Sequence, residues 1–258
     1  MRRSVSQLKS YVTCPEAFRL RRVARVPTQP AAWTVQGIAV HAAIEAYEKS
    51  WRTISVAEAE DVFEQVWVRG VAEALEREPD LDAWMTGGKK KTEKDIEDRH
   101  LAGAGQVRTY VEYVATDPLR VWTLPDTGEP ASEVEFLITL GNVDVRGFID
   151  LILVDPQTGQ LKVRDIKTGS KRPSDAIQLA VYRQAVMDCF GVDVRWGDYW
   201  MAKDGRPMPP EPLAKFTREW LIREFRMMDD AESRGDYPSN PGDHCRICDV
   251  AAHCLVKS

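Results

Sequence analysis

Near Pro130 the apolar residues change their spacing, and this change limits the fold more than any other feature of the chain. Before it the spacing is helical. Val35, Ile38, Ala39, Ala42, Ala46 and Tyr47 predict an amphipathic helix over about Val35 to Trp51. Val62, Phe63, Val66, Trp67, Val71, Ala74 and Leu75 predict another from about Val56 to Glu78, and a third runs from about Glu93 to Ala115. Beyond Pro130, Glu133 to Leu140 and Val143 to Asp155 read as strands joined by a tight turn at Gly141-Asn142. The turn residues Asp155 to Gly159 lead into a third strand, Leu161 to Lys167. A helix over about Asp175 to Phe190, a strand over about Val194 to Lys203 and a helix over about Leu213 to Ser233 follow. At the start, Ser4 and Gln7 have capping-box spacing ahead of Leu8, Tyr11 and Val12. The expectation is an α/β core preceded by helices. It divides into an N-terminal segment (1–34), a mainly helical region (35–130), the core (131–212) and a C-terminal helix with a cysteine tail (213–258), all in one structural unit.

No apolar run approaches the roughly 18 residues that would span a bilayer. Behind Arg2 and Arg3 there is no apolar stretch of the kind a signal peptide needs, so a cytoplasmic protein is expected. A net charge of −5 argues against a protein that simply coats DNA, but the charge is uneven. Seven basic residues face one acid, Glu16, between Arg2 and Arg25. Further basic clusters lie at Lys89–Lys94 and at Lys162–Arg172. Such patches can hold phosphates, although a solvated surface is the plainer explanation of each alone.

The chemistry concentrates on three residues. Asp165 and Lys167 are two apart on one strand and share a face. A carboxylate so placed can hold a divalent cation beside an amine that assists an attacking water. Asp150 interrupts the apolar run Ile149, Leu151, Ile152, Leu153, Val154. An ionised acid there is costly unless it is paired or coordinates a metal. Two carboxylates on adjacent strands suit magnesium or manganese. A plain salt bridge is the competing explanation for any single Asp-x-Lys. The neighbours shift the balance: His41 and Glu45 lie one turn apart on a helix, as do Gln178 and Tyr182. Glu133 and Glu135 share a face of the first core strand, and Glu135 is preferred as the accessory acid.

In order, Gly37-x3-His41, Glu135, Gly147-Phe148-Ile149-Asp150, Asp165-Ile166-Lys167-Thr168-Gly169 and Gln178-x3-Tyr182 resemble the PD-(D/E)XK nuclease superfamily, specifically its RecB/AddB-like branch. The resemblance spans about Ser4 to Cys254, and 50–130 matches it only in general character. It implies a restriction-endonuclease-like mixed sheet flanked by helices, with His41, Asp150 and Asp165 as metal ligands and the Ile166 carbonyl as a fourth. Lys167 would position water and stabilise the pentavalent phosphate, while Gln178 and Tyr182 orient the lysine and the DNA. The middle acid is aspartate where many relatives carry glutamate. The superfamily name allows both.

Five cysteines occur: Cys14, Cys189, Cys245, Cys248 and Cys254. Three of them form Cys-x2-Cys-x5-Cys in the tail. Without a secretory signal, a metal site is preferred to a disulfide framework. Zinc is one occupant, and His244 or His253 would complete a Cys3His set. Cys14 together with the tail cysteines is similar to the iron–sulfur staple of AddB-type and Cas-four-type (CRISPR-associated) nucleases. That similarity implies a 4Fe–4S cluster on Cys14, Cys245, Cys248 and Cys254. It would tie the chain ends across a loop of about 230 residues. Cys189 is expected to be an ordinary buried thiol.

The implied activity is that of a metal-dependent DNA exonuclease hydrolysing phosphodiester bonds on single-stranded DNA or DNA ends, with 5′→3′ the direction the resemblance suggests. Arg19, Arg21, Arg22 and Lys171 are the DNA-contact candidates, with Tyr11 or Trp33 as stacking aromatics. Two alternatives stand beside this: a non-catalytic DNA-binding or assembly subunit, and the nuclease subunit of a helicase–nuclease or CRISPR adaptation complex. The chain has no G-x-x-x-x-G-K-[ST] sequence, so a partner would have to supply any motor. A homo-oligomer is a further expectation from the resemblance.

Overall fold

The computed structural model describes residues 2–256 as a mixed α/β fold with helices on both faces of one sheet. A short strand β1 (Arg2–Arg3) and helices α1 (Val5–Thr13) and α2 (Pro15–Arg22) open the chain. The long helices α3 (Ala32–Lys49), α4 (Val56–Arg77) and α5 (Thr92–Val114) follow. Then come β2 (Arg120–Val121), β3 (Ser132–Leu140), β4 (Val143–Val154), β5 (Leu161–Lys167), α6 (Ile177–Phe190), β6 (Trp196–Met201), β7 (Arg206–Pro207), β8 (Glu211–Pro212) and α7 (Arg218–Arg234). Among the described residues, no helix is long and apolar enough to cross a membrane.

Local chemistry explains the boundaries. Ser4 accepts from the Gln7 N–H, and the Gln7 side chain accepts from the Ser4 N–H, so α1 starts with both orphan donors satisfied. Ser55 and Glu58 do the same for α4. The last helix begins at Arg218 and not near Leu213. Glu211–Pro212 pairs instead with β6, and Thr217 caps the helix by accepting from the Trp220 N–H. The two-residue strands β1, β2, β7 and β8 are too short to leave an alternation in the sequence.

Strand β4 is the hub. It pairs antiparallel with β3 from Leu140↔Val143 back to Ser132↔Leu151, with β2, and with β5 over Leu151–Val154. Strand β1 lies parallel to its first residues, Asp144 and Val145, and β6 runs parallel to β5. One face packs Val145, Ile149, Val163 and Tyr199 against α1, α6 and α7. The other packs Leu151, Leu153, Ile166 and Trp200 against α3, α4 and α5. The helical region therefore covers the β5–β6 part of one face and the end of β4, and leaves Leu137 of β3 and Phe148 of β4 exposed.

On the α5 side of β5, Arg164 is fully buried and donates twice to Asp198, at 2.7 and 3.0 Å, and once to Asp117 at 3.3 Å. Arg164 is the buried cation these two carboxylates share, although Lys162 Nζ also lies 3.3 Å from Asp198 and the Leu119 N–H donates to Asp117, so removing it costs both acids a buried charge partner. Arg164→Met should therefore lower unfolding stability by about 3–5 kcal/mol in urea titration. Adding Asp198→Leu should recover part of that loss.

Candidate active site

The turn after β3 sets the register from which the site follows. Leu140 pairs with Val143, and the ladder counted back places Glu133 across from Asp150 and Glu135 across from Phe148. Glu133 holds a φ of +49°, a left-handed conformation that costs a non-glycine residue about 1–2 kcal/mol. Its carboxylate reaches His41 of α3, with Oε1 3.4 Å from Nδ1. The same Nδ1 lies 3.7 Å from Asp150 Oδ2, and His41 Nε2 lies 3.1 Å from the Ile166 carbonyl. Among the described residues, His41, Glu133 and Asp150 are the group whose ligand atoms draw within 4.8 Å of one another. Glu135, favoured from the sequence, is half exposed and ion-paired to Arg146 at 2.5 Å. Of the two acids, the structure brings Glu133 and not Glu135 to His41 and Asp150. The two-residue turn already held that signal, because counting pairs from Gly141-Asn142 reaches Glu133 and Asp150 together.

The second half comes from β5 and α6. Asp150 Oδ2 accepts the Ile166 N–H at 2.7 Å, which locks β4 to β5 at the acid itself. Lys167 Nζ is 2.6 Å from Asp165 Oδ2 and donates to Gln178 Oε1 at 3.0 Å. Gln178 Nε2 donates to the Tyr182 hydroxyl, which stands 3.0 Å from Asp150 Oδ1 and 3.3 Å from Asp165 Oδ1. Gly147 is needed three residues before Asp150, since a Cβ there would meet the Phe136 ring at 2.8 Å. Helix α1 contributes a group the sequence reading missed as part of the centre. Lys9 is partly buried, which lowers its pKa against the pull of Asp175, with Lys167 and Asp165 also in electrostatic reach.

The DNA-contact candidates do not converge here. Arg19 is ion-paired to Glu16 at 2.7 Å. Arg21 donates to Asp249 and Ser10, which binds the chain ends to each other. Arg22 and Lys171 are exposed. Tyr11 packs edge-on against Phe18, and Trp33 lies under Arg99. The cysteines form no disulfide. Cys14, Cys248 and Cys254 pack around one small apolar cluster with Ala17, Leu20 and Val250. Cys189, expected to be buried, is exposed on the last turn of α6.

Residues 2–255 match the PD-(D/E)XK nuclease superfamily. The chain belongs to this superfamily. Two phage proteins, each called Gene 69 protein, are similar along nearly their whole length. That of Mycobacterium phage D29 is 37% identical over 263 residues, covering 98% of this chain and 96% of the relative. That of Mycobacterium phage L5 is 35% identical over 281 residues, with the same coverage of both chains.

Electrostatics follow from two carboxylates buried side by side. Burial first, then the charge of Asp150, pushes Asp165 up to about 6, against the pull of Lys167 and His41. Asp150 is raised too, chiefly by burial. For His41, burial works downward but is outweighed by Glu133, Asp150 and Asp165, which hold its imidazolium up to about 9. Tyr182 is raised well above the ordinary phenol value by burial and by both acids, so it stays a proton donor. Because Asp165 lies above its unfolded value, it favours the metal-free fold while protonated. That contribution is lost as pH rises through about 6. Asp165→Asn should therefore raise the metal-free thermal midpoint by a few degrees at pH 7.5, and the gain should shrink toward pH 4.5. A gain equal at both pH values would contradict this assignment.

Proposed function

We propose that this chain is a magnesium- or manganese-dependent deoxyribonuclease that hydrolyses phosphodiester bonds in single strands or at DNA ends. The observation that carries the reading is the convergence of Asp150, Asp165, Glu133, His41 and the Ile166 carbonyl beside Lys167. The donor set fits a divalent cation. It offers hard oxygens and one imidazole, and Asp165 Oδ2 is buried with the Lys167 ammonium 2.6 Å away. Nucleases of this superfamily use divalent metals. When bound, the cation supplies positive charge against the phosphate oxygens at the reacting centre.

The remaining work falls to the chain's own side chains. Lys167, held by Gln178, directs its ammonium toward the scissile phosphate and positions the water that attacks phosphorus. Tyr182 fixes both carboxylates from the α6 side, and Glu133 fixes His41 from the β3 side. His41 must give up the proton it holds in the metal-free site before its nitrogen can ligate, so metal loading releases protons. A preference for single strands and 5′→3′ direction belong to the same proposal and are supported by the RecB/AddB-like resemblance.

Cleavage of a labelled single strand with manganese tests the assignment. Asp165→Ala and Lys167→Ala should each slow it by about a hundredfold or more. Glu133→Gln should slow it clearly, while Glu135→Gln should stay within about twofold of the parent, as surface substitutions usually do. Cleavage as fast as the parent's in the Asp165 and Lys167 variants would overturn the nuclease reading.

We propose further that Cys14, Cys245, Cys248 and Cys254 hold a 4Fe–4S cluster with a structural role. Cys14, Cys248 and Cys254 already share one apolar patch, and Arg21 Nη2 lies 3.9 Å from Cys248 Sγ. A Cys3His zinc site remains the second reading, because His244 Nε2 is buried without a hydrogen-bond partner. Anaerobically purified protein should be brown, with iron and sulfide in equal amounts. A colourless protein with one equivalent of zinc would favour the second reading.

A further inference from the structure

On one side, β4 has two different neighbours. Strand β1 covers Asp144 and Val145, and β5 covers Leu151 to Val154. Between them, residues 146 to 150 have no strand partner on that side among the described residues. The sheet is split there, and an open groove of about 660 Å³ occupies the gap. Arg146, Phe148 and Asp150 lie along its floor, Arg2 stands at the β1 end, and Gln178 and Tyr182 form the α6 wall. The groove thus reaches Asp150 and the glutamine that holds Lys167.

Phe148 is the anomaly. It sits mid-strand, between Arg146 and Asp150, yet is 47% exposed. A half-exposed aromatic beside a polar site, with Leu137 also 53% exposed on the neighbouring strand, marks a surface built to be covered. At the groove's far end, Arg2 is exposed and has no acidic partner among the described residues. Arg146 and Asp150 are about 13 Å apart along the strand, room for a short stretch of extended polymer. In a duplex the base faces are stacked on one another and closed to a protein ring. An unpaired strand offers them.

Resting on the nuclease reading, we infer that this split-sheet groove is the path of the single-stranded substrate, with Phe148 stacking on one base and Arg2 holding a phosphate. Phe148 sets the strand so that a neighbouring phosphate lies at Asp150 and Lys167. The same contact selects unpaired DNA over duplex, because the ring needs an open base face.

Binding of a fluorescent 20-nucleotide oligothymidylate, without added divalent ions, tests this apart from cleavage. Phe148→Ala should weaken binding by about tenfold, and Phe148→Trp should restore it. An oligonucleotide of abasic sugar-phosphate should bind the parent and Phe148→Ala equally. Arg2→Gln should lower the slope of log Kd against log salt by about 0.7, the value for one phosphate contact on a single strand. The thermal midpoint should be unchanged in both, since neither side chain is buried. Unchanged binding in Phe148→Ala, or equal losses with the abasic strand, would overturn the groove. Strand binding that follows these expectations in a protein that never cleaves would remove the nuclease reading and leave the groove standing. Cleavage by the parent together with unchanged binding in Phe148→Ala would do the reverse.

Discussion

Two carboxylates buried beside each other, Asp150 and Asp165, are the constraint on which the rest of the structure depends. Burial raises both, with the charge of Asp150 adding at Asp165 and that of Glu133 adding at Asp150, and no hydrophobic core tolerates such a pair without compensation. Compensation comes from every side. The Ile166 N–H donates to Asp150, Tyr182 bridges the two acids, Lys167 pairs with Asp165, and the His41 imidazolium faces Asp150 and Glu133. These partners come from α3, β3, β5 and α6. Each of those elements is thereby fixed in position relative to the acids. The compensation is incomplete, as the raised value at Asp165 shows, and that residual cost is what makes the centre receptive to a cation.

The backbone is bent to serve the same end. Along β4, Val145 and Ile149 pack toward α6 and α7, but so does Ile152, while Leu151 and Leu153 turn toward α3. The strict alternation of a strand therefore breaks at Asp150. Its cross-strand neighbour Glu133 sits at φ +49° at the same level, so the distortion is shared by both strands. Strain of this kind persists only where the surroundings over-determine it. The kink swings Asp150 between α3 and α6, where a flat strand would have turned it wholly to one face. It also coincides with the place where β5 takes over from β1 as the neighbour of β4.

How much of this was legible before the structure depends on whether the signal was local. Strand β5 was readable to the residue, since its apolar alternation and its Asp-x-Lys lie within seven positions. Helices α3 to α5 were readable within about three residues at each end, because periodicity and the Ser55 cap are local. Gln178 and Tyr182 were placed correctly one turn apart, and their hydrogen bonds to Lys167 and Asp150 follow from α6 succeeding β5. The choice between Glu133 and Glu135 needed the hairpin register, which alternation alone does not resolve. Arg21 looked like a DNA contact because its charge is visible in the sequence while its partner, Asp249, lies 228 residues away. Phe148 read only as one more apolar strand residue, since its exposure results from the split between β1 and β5.

The chain ends belong to this same argument. Arg3 is buried against Asp229 and Glu232 of α7, Arg21 against Asp249, and Asn240 donates to the Thr13 carbonyl. These contacts hold β1 and α1 in place, and β1 and α1 form one bank of the groove and bring Lys9 toward the acids. The part-exposed pair Arg21–Asp249 adds little to that tie, since such pairs contribute about 1 kcal/mol or less each. A covalent or coordinate tie between Cys14 and the tail cysteines would act at the same corner. By limiting the unfolded chain it would be worth on the order of 4–5 kcal/mol. Such a tie would bear on the groove without touching substrate. It would secure the bank that the sheet itself holds least, because β1 joins β4 through only two residues.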